Sequence, residues 1–314
     1  MNDTAEFSLF PGSHRLADLA RRVPRAAWPF IVLAAGQTIL FAGLGYLDFR
    51  NIAIWVIPTL LPVAVIIGRR DAWESARVIM IGAILWGSLG ALVQIIGLPQ
   101  QRFAAHAGTD TALDFYVRVA ARLATLIAIA APALIAFGLR LRRRTETSWP
   151  RALVAVAIVV TVGLCVYDAN QALQRQSLQY NFGYYIDISL RDQLDVLAQA
   201  MAPLGLLFLG ALAWSTMSAV RAQETPRRFW LAIGAGSTLL FATSLYSSII
   251  DPIILNGPVN SSVVASLLSA TFEVQRLAAL AGLVLLLVGF GLGLPDSDED
   301  LLGEVLPEEA MPGA

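Results

Sequence analysis

Eight stretches of this sequence run for about 18 to 26 residues with charge confined to their ends: 28–47, 51–68, 75–98, 115–139, 149–168, 194–219, 229–250 and 271–294. A bilayer hydrocarbon core of roughly 30 Å needs about 20 apolar residues per helix. The runs are continuous, not alternating, so they predict helices and not half-buried strands. An isolated strand in lipid would also leave its backbone unpaired. Composition removes the soluble alternative: 57% of residues are hydrophobic and 14% are charged, where soluble domains carry roughly 25% charge. A soluble fold could not hide that many apolar side chains without large exposed patches. The expected fold is all-α, a polytopic transmembrane helix bundle of about eight spans.

Arginine sets the orientation. All 22 basic residues are arginine, a usage that suggests a GC-rich bacterial genome. Fifteen of them fall on one set of connections: Arg15, Arg21, Arg22 and Arg25; Arg69, Arg70 and Arg77; Arg140, Arg142, Arg143, Arg144 and Arg151; Arg221, Arg227 and Arg228. The positive-inside rule places that set in the cytoplasm. An even number of crossings then puts both termini there, in the cell membrane of a bacterium. Trp28, Trp149 and Trp230 stand at cytoplasmic helix ends, where indoles anchor at headgroups.

The inside loops are short, and the outside loops measure about 3, 16, 25 and 20 residues. The chain therefore reads as four out-and-back hairpins. Arg77, Arg151 and Arg228 each open an odd-numbered span. Arg122-Leu-Ala-Thr-Leu126 and Arg276-Leu-Ala-Ala-Leu280 take the same place in the fourth and eighth. Such spacing suggests a parallel internal repeat. Pro58, Pro62, Pro132 and Pro203 lie within spans and predict kinks that the bundle tolerates. Small residues four apart predict close helix contacts: Ala83, Gly87 and Ala91; Ala232 and Gly236; Gly289 and Gly293 as a GxxxG pair.

The domain plan is a basic amphipathic cytoplasmic segment at 1–27, an eight-helix membrane domain at 28–294 and an acidic, disordered cytoplasmic tail at 295–314. The polar, basic start lacks the pattern of a cleavable signal peptide. In the first segment Leu16, Leu19, Ala20 and Val23 share one side and suit an anionic leaflet. The tail clusters Asp296, Asp298, Glu299 and Asp300, a composition of disorder.

The residues that carry chemistry are scarce. His14 and His106 lie outside the spans, which excludes a bis-histidine haem within the bundle. With the single Cys165 they cannot make a zinc site of three or four ligands. The middles of the spans hold no Asp or Glu, which argues against a proton antiporter. Gln37, Gln94 and Gln199 read as helix-bridging amides. No phosphate-binding loop or protease-like pairing is present. No cofactor, no metal, no nucleic-acid partner and no catalytic residue is expected.

One feature stands out, a belt of charge at the outer helix ends. Its candidate polar site is Arg118, Arg122, Asp168, Asp195, Asp251, Glu273 and Arg276; Asp48 and Asp192 also fall on the belt. Arg118 and Arg122 are four apart and share a helical face. Glu273 and Arg276 are three apart and can pair. The belt reads either as a salt-bridge collar or as an outer vestibule in which the two arginines hold an anion. The connection at 168–194 is aromatic at Tyr180, Phe182, Tyr184 and Tyr185, which suits a lid, interfacial packing or a docked partner. The leading functional expectation is a noncatalytic subunit, scaffold or sensor of an envelope complex. It would sit in the lipid bilayer with a membrane-protein partner or as a homo-oligomer. The alternative is a small-molecule or lipid transporter with a polar vestibule at the outer face.

Overall fold

A computed structural model of the chain describes residues 23–43, 56–69, 76–89, 111–143, 151–180, 190–256 and 262–295. Every regular element among them is helical. A single 3-10 turn, Arg25–Ala27, leads into α1 (Trp28–Gly43), followed by α2 (Ile57–Gly68) and α3 (Ala76–Leu89). Then come α4 (Thr111–Leu141), α5 (Arg151–Tyr180), α6 (Leu190–Arg221), α7 (Arg227–Asn256) and α8 (Ser262–Gly291). Six of these are long and apolar enough to cross a membrane: α1 together with its leading 3-10 turn, and α4 to α8. The described parts of α2 and α3 are apolar but shorter.

The last five helices reach further than their apolar runs. Helix α5 continues to Tyr180, α6 begins at Leu190, α7 ends at Asn256 and α8 begins at Ser262. The connections there are therefore shorter than the 25 and 20 residues expected, and most of 168–194 is helix. The reason is local. Residues 170–180 are rich in Gln, Ala, Leu and Arg, which propagate a helix well in a polar setting. An apolar run marks only the part of a helix that suits hydrocarbon.

The neighbours form a continuous set. Helix α1 packs on α2, α2 on α8, α8 on α7 and α7 on α6, with α4 and α5 also on α6. Helix α3 fits between α2 and α4: a Cβ on Gly87 would meet the Pro62 ring at 3.1 Å, and one on Gly82 would meet Ile135 at 2.8 Å. Helices α7 and α8 are antiparallel and cross most closely where Gly236 and Gly282 oppose; a Cβ on either would stand under 3 Å from the other's carbonyl oxygen. Hydroxyls join α6 to α7, with Thr216 and Ser237 3.1 Å apart while each also bonds its own helix. The small-residue faces at Gly87, Gly236 and Gly289 thus serve packing within the chain. The Gly289–Gly293 pair is not a helical GxxxG, because α8 ends at Gly291 and Gly293 takes φ +108° in the turn beyond. Ala91 lies outside the described residues.

The tightest core gathers toward the arginine-rich end. Leu61, Ile79, Ile135, Leu139, Leu212, Ile233 and Leu286 are fully buried, as are Phe229, Trp230 and Phe290. Trp230 packs edge-on to Phe229 at 5.0 Å. It is a core residue and not an interface anchor: it starts α7 but on the inward face. Trp28 is half exposed and free to meet headgroups. Trp149 lies outside the described residues.

Two arginines expected in a solvated loop are likewise buried. Arg143 pairs with Glu224 at 2.9 Å, their side chains 3% and 5% exposed, and its Nη1 donates to Ser215 O. Arg142 donates to Pro295 O, and Leu294 N donates to Gly68 O. These bonds include one to a carbonyl, Gly68 O, that a helix end leaves open. They tie the ends of α2, α4, α6 and α8 together. Burial is tolerable here because each charge finds a partner.

Candidate functional site

At the opposite end of the bundle the helices part. The geometry begins with two prolines. Pro132 in α4 has no N–H to give the carbonyl of Ala128, and Pro203 in α6 has none for the carbonyl four residues earlier. Around them lie two adjoining cavities. The first, about 280 Å³, sits between α3, α4, α6 and α7, with Trp86, Ala128, Pro132, Gly205, Ser244 and Ser248 on its wall. The second, about 260 Å³, sits between α5, α6 and α7, with Asp168, Pro203, Ser247 and Ser248 on its wall. Ala202, Leu206 and Ser248 line both. Helix α6 at Pro203 therefore forms the partition, and Ser248 faces each side.

The hydroxyls are held in place. Ser248 Oγ donates to Ser244 O at 2.9 Å. Gln275 of α8 donates through Nε2 to Thr243 O at 3.1 Å and also to Ser247 Oγ. A third chamber of about 280 Å³ continues from Leu164 and Leu206 down to Trp214 and Phe241 and is almost wholly apolar. A separate apolar groove of about 400 Å³ lies between α7 and α8, where the two helices diverge beyond the Gly236–Gly282 crossing. Its wall includes Ala242, Ala270 and Ala278; side chains this small leave the diverging space unfilled.

The same proline device recurs at the other side of the bundle in a closed form. Pro62 leaves the carbonyl of Pro58 without its helical donor. A Cβ on Gly87 would stand 3.0 Å from that oxygen, and the Pro62 ring fills the rest. In the open form a Cβ on Gly205 would stand 3.4 Å from Ala128 O, with the first cavity alongside.

Of the seven residues expected to form the outer polar site, three have described side chains. Asp168 lines the second cavity and is half buried. Glu273 and Arg276 pair with each other at 3.3 Å and are 44% and 46% exposed, an i,i+3 surface pair of the kind worth little to stability. The side chains of Arg118, Arg122, Asp195 and Asp251 lie outside the described residues, although all four positions fall within α4, α6 or α7. Asp48 and Phe182, Tyr184 and Tyr185 are also outside them, as is Gln94; Gln199 is helical with its side chain undescribed.

Gln37 does bridge helices. Its Oε1 accepts from Thr59 Oγ1 at 3.1 Å, and Thr59 also lies 3.4 Å from Gly87 O, so α1, α2 and α3 share one polar chain. Gln37 Nε2 is buried without a hydrogen-bond partner among the described residues. Reading the sequence missed Ser244, Ser247, Ser248 and Gln275, whose only signal is polarity at a three-to-four-residue interval in apolar helices. It also missed the Arg143–Glu224 pair, whose members are far apart in the chain. Among the described residues no three His, Cys, Asp or Glu side chains come together. Comparison with protein-family models, with curated proteins and with solved structures finds no match.

Proposed function

We propose that this chain is a noncatalytic multi-pass protein of a bacterial cytoplasmic membrane that binds a small amphipathic solute or lipid in the paired cavities at Pro203 and passes it between the outer face and the membrane interior. In this reading eight spans form four hairpins, both termini are cytoplasmic, and the arginine-rich end faces inward. The observation that carries it is the shared wall. Two polar-edged cavities meet at a proline in α6, and an apolar chamber continues from them. Such concave, mostly apolar space with a few convergent polar groups suits a small ligand. Irregular backbone at membrane depth is tolerated where it lines a cavity.

Paired cysteine labelling tests it. Cys165 is the single cysteine, so a Cys165→Ser background is clean. Ser248→Cys should react with an impermeant maleimide added outside intact cells. Gln223→Cys, in the exposed turn between α6 and α7, should react only after permeabilisation. A Ser248→Cys that reacts in the unfolded protein but never from outside would end the vestibule reading.

The subunit or scaffold reading retains support from one specific observation. Only 6% of the apolar window of α5 is buried, the least of the six long helices. Such a helix offers a broad face to a partner membrane protein or a second copy.

A further inference from the structure

Resting on that ligand-binding reading, we infer that the first cavity selects an organic cation, specifically a primary ammonium with a short apolar tail. The key group is the carbonyl of Ala128 on the cavity wall. An ordinary helix would cap it with the N–H of residue 132, but that residue is proline. In hydrocarbon an uncapped carbonyl must find a donor. At α2 the equivalent oxygen of Pro58 is pressed against Gly87 and the Pro62 ring, so no room remains for a ligand. At α4 the same device opens on a cavity of about 280 Å³. The bundle repeats the proline-and-glycine pairing but leaves the second one accessible.

The other described groups on that wall agree in character. Ser244 and Ser248 bring hydroxyl oxygens that can accept, and Trp86 brings an indole, whose face attracts a cation. Across the α6 partition Asp168 adds a carboxylate. Among the described lining residues of both cavities there is no Lys, Arg or His. Carbonyl, hydroxyl, π-face and carboxylate together favour a donor-rich positive head. Ala202, Leu206 and Leu209 favour an apolar body beside it.

The test is binding to the full chain in lipid nanodiscs, read by tryptophan fluorescence and calorimetry, with butylammonium, butanol and butyrate as size-matched probes. Butylammonium should bind saturably and about tenfold more tightly than either of the others, the size of one charge-assisted hydrogen bond. Pro132→Ala returns an N–H to Ala128 and should weaken butylammonium about tenfold without lowering the thermal midpoint. If that variant fails to fold, Gly205→Leu, which fills the space before the carbonyl, should do the same. Equal or tighter binding of butanol overturns the cation assignment and leaves the ligand-binding reading standing. Tighter butyrate also overturns it and points to Arg118 and Arg122. Unchanged butylammonium affinity in both variants removes the carbonyl from the site. Absence of binding by all three probes defeats the inference, while external labelling of Ser248→Cys would still sustain the vestibule.

Discussion

Gln37 shows how a polar side chain earns a place in an apolar bundle. Its carbonyl oxygen takes the hydroxyl of Thr59, while its amide nitrogen is buried with no hydrogen-bond partner among the described residues. The two halves of one side chain thus pull in opposite directions. A buried donor left unmade costs about 1–3 kcal/mol, whereas removing both partners together can be nearly neutral. Thr59→Val deprives Gln37 of this bond and should cost about 1–3 kcal/mol. Gln37→Leu removes the unpaired nitrogen, and Thr59 keeps Gly87 O within reach, so its loss should be under about 1 kcal/mol. Thermal midpoints in detergent compare the two. A larger loss for Gln37→Leu would show that its nitrogen makes a bond of its own in the membrane.

Individual helices are placed by glycines more than by apolar bulk. Gly68 ends α2 so close to α8 that a Cβ would stand 1.8 Å from Phe290 O. A backbone carbonyl cannot step aside as a side chain can, so Gly68→Ala should cost about 3 kcal/mol, the upper end for overpacking. Gly163 in α5 has nothing within 4 Å of its missing Cβ. Gly163→Ala should instead gain up to about 1 kcal/mol from helix propensity. Equal effects at the two sites would mean that α2 does not close on α8 in the membrane. This difference was not legible in the sequence, where both are glycines in apolar runs. The runs themselves were legible, since charge exclusion over about 20 residues has few other causes. The extension of α5 to Tyr180 was not, because polar helix formers leave no apolar trace. Gln223 at φ 56° is equally silent: it ends α6 with the Gln223 N to Val220 O and Glu224 N to Ala219 O bonds of a left-handed cap, a place where glycine is the usual marker.

At the scale of the whole molecule, the bundle is tied at one end and open at the other. Buried Arg142, Arg143 and Glu224 gather the ends of α4, α6 and α8, Leu294 ties α2 to the same end, and the paired cavities lie toward the other end between α3, α4, α5, α6 and α7. None of that follows from one-dimensional pattern, because it depends on partners distant in the chain; Arg143 and Glu224 are 81 residues apart. Among the expected site residues with described side chains, Asp168 alone lines one of the paired cavities, and it sits on α5, the least covered of the six long helices. Its outward residues Val156, Val159 and Val166 are 58%, 70% and 64% exposed. In water such a face would demand a protein partner; in a bilayer lipid satisfies it equally well, since tails are as apolar as valine. Cross-linking separates the two coverings. In the Cys165→Ser background, Val159→Cys should form no oxidised dimer and trap no stoichiometric companion with a short bismaleimide in native membranes if the cavities are the functional part and α5 merely faces lipid. A specific adduct at Val159, absent for Leu277→Cys on the exposed face of α8, would give α5 a protein partner and shift the balance to the subunit reading. Asp168 lies about half a helical turn around α5 from Val159, so such a partner would sit on the far side of the helix that walls the second cavity.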